Sequence, residues 1–125
     1  MTRFALALAA LALLVAGCGP EKEHTRTVTA PANGAVRVVG TEYKFDPATI
    51  VVRGAGTLRV TLVNEGSLAH DFTLMKDGRE IGGTPPFPPD QSKSVRLRVA
   101  PGEYEFVCTV GDHAELGMKG KLRVE

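Results

Sequence analysis

An all-β fold, a two-sheet β-sandwich with Greek-key connections, is predicted by three observations. From Ala35 onward apolar residues alternate with polar ones at period two. No stretch of helical length carries an apolar stripe of helical period. Gly, Pro and Asp turn signals recur at short intervals between the alternating runs. With 125 residues, 43% of them hydrophobic and none of them Trp, the chain has room for one modest core.

The first segment stands apart from that domain. Arg3 precedes an uninterrupted apolar run from Phe4 to Ala16, shorter than the roughly 20 residues a membrane span needs, so residues 1–17 read as a signal peptide. Leu14-Val15-Ala16-Gly17-Cys18 resembles the bacterial lipobox. That resemblance implies cleavage before Cys18, lipidation of its sulfur, and an exported protein anchored to the cell envelope, in the periplasm or on the outer face of a membrane. Residues 18–34 read as a flexible tether on the order of 20 Å long, with His24 solvated. The domain proper is expected over residues 35–125.

Its strands follow in order. Val36 to Val39 opens the series, and Thr49 to Arg53 follows. Leu58, Val60 and Leu62 then alternate with Arg59 and Thr61. Asp71 to Met75 precedes the turn at Asp77-Gly78. Gly82 to Asp90 holds four of the 8 prolines and reads as a surface loop. Val95, Leu97 and Val99 alternate with Arg96 and Arg98; Pro101-Gly102 turns the chain into Glu103 to Thr109; Lys119 to Val124 closes it.

Charge excludes one class of partner. Lys and Arg total 15 against 14 Asp and Glu, so no cationic excess exists to neutralise a nucleic-acid backbone. A monomer is expected.

Cysteine usage is more informative. An exported domain sits where thiols normally pair, yet a lipidated Cys18 leaves Cys108 without a partner. Cys108 is then an inert core residue, half of an intermolecular disulfide, a nucleophile or a metal ligand. Alternation places Tyr104, Phe106 and Cys108 on the dry face of their strand. Beyond it a short loop carries His113 midway and ends at Met118, and His70 is the other histidine of the domain. Thiolate, two imidazoles and a thioether form the donor set of a blue-copper centre, and the thioether favours copper over zinc.

From Gly40 to Glu125 the chain resembles the small cupredoxins. The resemblance rests on Gly40-Thr-Glu-Tyr-Lys-Phe-Asp-Pro-Ala-Thr-Ile50, on Val60 to Asn64 leading to His70-Asp71, and on Phe106 to Val110 leading through Cys-x4-His-x4-Met. It implies one type 1 copper ion with His70, Cys108 and His113 as equatorial ligands and Met118 as the weak axial one. Many relatives have Pro-Gly before the second His and Asn after the first; this chain has Gly111-Asp112 and Asp71. Asp71 is expected to accept a hydrogen bond from Thr109, joining the two ligand strands.

Electron transfer between membrane-associated redox partners such as cytochromes or membrane oxidoreductases is the expected function, with copper binding and trafficking as the alternative. No enzyme is expected. Copper oxidases and nitrite reductases with such a domain need extra histidine clusters, which 3 His cannot supply, and a binuclear copper site needs a second loop cysteine where Asp112 stands. The exposed edge of His113 is the expected electron port, ringed by Leu68, Phe87, Val110, Ala114 and Leu116 as an apolar docking patch.

Overall fold

Alternating runs become strands because each has one face to bury, and that face fixes the register. A computed structural model describes residues 26–125, which form ten strands and no helix. The segment 1–17, Cys18 and His24 lie outside the described residues. The strands are β1 Thr27–Pro31, β2 Ala35–Thr41, β3 Lys44–Asp46, β4 Thr49–Arg53, β5 Gly56–Asn64, β6 Thr73–Lys76, β7 Arg79–Gly83, β8 Ser92–Val99, β9 Gly102–Val107 and β10 Lys119–Val124.

They build a sandwich of a six-stranded sheet, ordered β1-β4-β10-β9-β6-β7, and a four-stranded sheet, ordered β3-β2-β5-β8. Side chains from the two inner faces meet between the sheets. Val38, Leu58, Val60 and Leu62 of one sheet are fully buried, as are Ile50, Leu74 and Phe106 of the other. Phe106 is the hub: its ring centroid lies 5.0 Å from that of Phe72 and 5.4 Å from that of Phe45. Each such ring contributes about 1.5–3 kcal/mol by leaving water. Gly120, paired with Phe106 across β10 and β9, lets this ring lie flat, since a Cβ there would collide with it.

Three strands go beyond the sequence expectation. Thr27–Pro31, expected within the tether, is β1: it pairs in parallel with β4 and buries Ala30. The domain therefore begins before residue 35. Threonines and a terminal proline conceal a short alternation of Val28 and Ala30. β3 has only 3 residues, and β7 is a charged and glycine-containing edge strand that takes Gly82 and Gly83 out of the expected surface loop.

Candidate metal centre

One end of the sandwich gathers the chemistry. Inward alternation along β9 continues past its last residue, so Cys108 is fully buried where the strand stops. The loop that follows is wound back on itself. His113 N–H donates to the Val110 carbonyl at 3.0 Å, Met118 N–H to the His113 carbonyl at 3.0 Å, and Cys108 N–H to the Met118 carbonyl at 3.1 Å. Gly111 and Gly117 take φ of 49° and 109°, left-handed values that a side chain disfavours. With Gly111 taking that conformation, the loop closes without the Pro-Gly found in many relatives.

His70 arrives from the opposite direction, between β5 and β6. Its backbone exchanges two hydrogen bonds with Phe87, at 3.2 and 3.0 Å. Phe87 is consequently buried, only 2% exposed, and takes no part in a docking surface, contrary to the sequence expectation. The paired backbone turns its ring inward although prolines flank it.

Three donor atoms converge. Nδ1 of His70 lies 3.2 Å from Nδ1 of His113, and Cys108 Sγ lies 3.9 and 3.5 Å from those two nitrogens. All three residues are buried, with their ligand atoms within 4.8 Å of one another. Ligand bonds of about 2.0 Å to nitrogen and about 2.3 Å to sulfur span such separations around one ion. Met118, fully buried, ends the same loop. Its methyl lies against Gly40, where an added Cβ would approach Met118 Cε to 3.2 Å. Two imidazoles, a thiol and a thioether with no carboxylate among them suit one copper ion.

The ligands are themselves held. Asp71, 2% exposed, accepts the Thr109 N–H at 2.7 Å through one carboxylate oxygen and the Thr109 hydroxyl through the other. The residue after His70 is thereby bonded to the residue after Cys108. Burial pushes the Cys108 thiol above its ordinary range, and the nearby Asp71 charge adds to that effect. A metal cation at the site would reverse it by favouring the thiolate.

Two further residues organise the site without having been singled out by the sequence. Glu42, in the turn between β2 and β3, accepts through one oxygen from Ser67 N–H at 2.8 Å, Leu68 N–H at 2.9 Å and His70 Nε2 at 3.0 Å. Burial acts to raise its pKa, but the bonds from Leu68, Ser67 and His70 outweigh burial and hold the carboxyl down at about 2. With Nε2 donating to Glu42, Nδ1 of His70 is left as the lone-pair nitrogen facing Cys108. Gly66 makes this approach possible, because a Cβ there would lie 2.8 Å from His70 Nε2. Asn64, fully buried, bonds the Leu68 and Phe87 carbonyls at 2.9 and 3.1 Å and the Gly66 N–H at 3.0 Å. Glu42 and Asn64 both lie within stretches that carry the family resemblance, but only the Asn-Glu-Gly-Ser turn that Asn64 begins marks either residue individually.

At the surface of this end, Leu68 and Leu116 are 45% and 52% exposed, while Val110 and Ala114 are half-buried. His113 shows only an edge, 6% exposed, and the Tyr43 ring packs against it at 5.0 Å.

Comparison with known proteins agrees with this geometry. The family model of the cupredoxin-like domain matches residues 5–124. The copper-resistant cuproprotein CopI of Rubrivivax gelatinosus is 32% identical over 113 residues, covering 76% of this chain and 68% of that protein. Dithionite-reduced auracyanin from Roseiflexus castenholzii superposes with a TM-score of 0.70 at 22% identity, over 75% of this chain and 98% of that one. Rusticyanin from Thiobacillus ferrooxidans does so with a TM-score of 0.65 at 23% identity, over 79% and 82%. Given a family match along nearly its whole length and a buried donor set suited to one copper ion, the chain belongs to the cupredoxin-like family, as a blue-copper protein.

Proposed function

We propose that this chain is a type 1 copper electron-transfer protein, passing single electrons between membrane-associated redox partners. The observation that carries the reading is the convergence of three buried donors on a scaffold whose own hydrogen bonds already fix them. Copper, when bound, supplies exchange of one electron between its cuprous and cupric states. His70, Cys108 and His113 would hold it, and Met118 would offer a thioether as a further donor. Glu42, bonded to His70, and Asp71, bonded to the neighbour of Cys108, would keep these ligands in place in either oxidation state. The burial of Cys108 speaks against nucleophilic catalysis, which needs an accessible thiolate.

The edge of His113 is the outlet, and Leu68, Val110, Ala114 and Leu116 form a small apolar docking patch suited to brief encounters. A lipidated Cys18 would confine the domain near a membrane and raise its effective concentration there. Copper trafficking is the second reading, favoured by the similarity to a protein named for copper resistance.

The test uses the chain from Glu21 onward with added cupric salt. An intense visible thiolate-to-copper band that Cys108→Ser abolishes supports the site. Reversible reduction and reoxidation by a cytochrome, with the metal retained, supports electron transfer. Release of copper to a chelator on reduction, faster than reoxidation, supports trafficking instead.

A further inference from the structure

The two sheets treat charge on their outer faces in opposite ways. On the six-stranded sheet, register sets Lys121 opposite Glu105 and Arg123 opposite Glu103. On the four-stranded sheet, Arg59 stands directly opposite Arg96, Arg98 opposite Thr57, and Arg37 opposite Thr61. All four arginines are exposed, while the residues that alternate with them on β2, β5 and β8 turn toward the core. Arg37 has Glu65 at 3.5 Å. Among the described residues, Arg59, Arg96 and Arg98 form no ion pair. The uncharged neighbours on this face include Ala35, opposite Arg59, and a hydroxyl pair, Thr61 and Ser94, bonded to each other at 2.7 Å. An open depression lined by Asn33, Gly34, Ala35, Thr57, Arg59 and Arg96 lies where the like charges meet.

Like charges directly opposite weaken a sheet, and the register sets Arg59 against Arg96 here where it sets bases opposite acids on the other sheet. The cations are arginines, whose planar forks match phosphate oxygens two at a time. We propose that the outer face of the four-stranded sheet is a phosphate-binding surface that seats the domain on anionic phospholipid headgroups. Charge complementarity and the covering chain length favour a membrane over an acidic protein: the stretch from Cys18 to Arg26 can reach at most about 29 Å in any conformation, so an anchored domain always has a bilayer within reach. That last point rests on the membrane attachment proposed above. Arg59 lies five residues from Asn64 along β5, about 17 Å from the metal end. Strands laid on the headgroups would therefore point His113 sideways, toward proteins standing in the same membrane.

The experiment takes the chain from Glu21 onward, which lacks Cys18, so that the face is tested apart from any lipid. The probes are vesicles of phosphatidylcholine alone or mixed with phosphatidylglycerol. Cosedimentation with the anionic vesicles only, suppressed by salt and weakened roughly thirtyfold in the double variant Arg59→Ser, Arg96→Ser, supports the proposal. Lys119→Ser, Lys121→Ser on the other sheet should bind like the parent. The arginine variant should keep its visible copper band and melt no lower than the parent, because a repulsive pair has been removed. Equal binding to both vesicle types, equal loss in the two variants, or capture by polyglutamate without vesicle binding overturns it. Radiolabelled palmitate incorporation at Cys18 in the full chain reports separately on the anchor.

Discussion

Removing the Asp71 carboxylate should loosen the join between the two ligand strands. In the parent, Thr109 N–H and the Thr109 hydroxyl each donate to a different oxygen of Asp71, which is 2% exposed. Hydrogen bonds to a charged acceptor contribute about 1.5–3 kcal/mol each. Thr109 is exposed, so water takes over its donors in the variant and the lower end applies. Asp71→Ala should then cost about 3 kcal/mol in the metal-free domain, roughly 150-fold in the unfolding constant. Over about a hundred ordered residues this lowers the melting temperature by about 15 °C. Asp71→Asn keeps an acceptor for the N–H and should lose less than half as much. Thermal melts of the three proteins read the order, and voltammetry of the copper forms should show the reduction potential rise as the negative charge beside Cys108 is lost. An Asp71→Ala domain within about 0.5 kcal/mol of the parent, with an unchanged potential, would refute the joining role.

Other perturbations test other parts of the site. Glu42 is held down at about 2, below its unfolded value, so its contribution to metal-free stability is complete above about pH 4.5 and is lost as pH falls toward 2; Glu42→Gln should be less stable at neutral pH, with the gap closing in acid, as urea titrations across pH would show. Gly120→Ala puts a methyl group into the Phe106 ring and should cost about 2 kcal/mol or more, read as a lower urea midpoint. Leu116→Glu places a charge on the 52% exposed residue of the docking patch; stopped-flow exchange with a cytochrome should slow several-fold while the visible spectrum stays unchanged.

Long alternating strands are legible from sequence because each must bury one face. β4 and β10 occupy the expected residues Thr49–Arg53 and Lys119–Val124. β1, β3 and β7 are hidden by brevity, threonine or charge, since edge strands carry little apolar signal. The donor residues are legible because their side chains are scarce: with 2 Cys and 3 His in the chain, few combinations can build a soft-metal site. Glu42 is one of 14 acids, and nothing near it in sequence reveals that a turn of one sheet reaches a histidine leading into the other. Phe87 misleads for the opposite reason. Its proline neighbours suggest a surface loop, whereas its backbone bridge to His70 turns the ring inward.

Glu42 belongs to the turn joining two strands of the four-stranded sheet, while Cys108 ends a strand of the other, and His70 lies on the link between them. Sliding one layer against its neighbour would therefore drag an imidazole out of alignment with the thiolate. The tint of the copper-loaded protein becomes an optical gauge of how the two layers are stacked, and bleaching on heating should coincide with cooperative collapse of the whole sandwich.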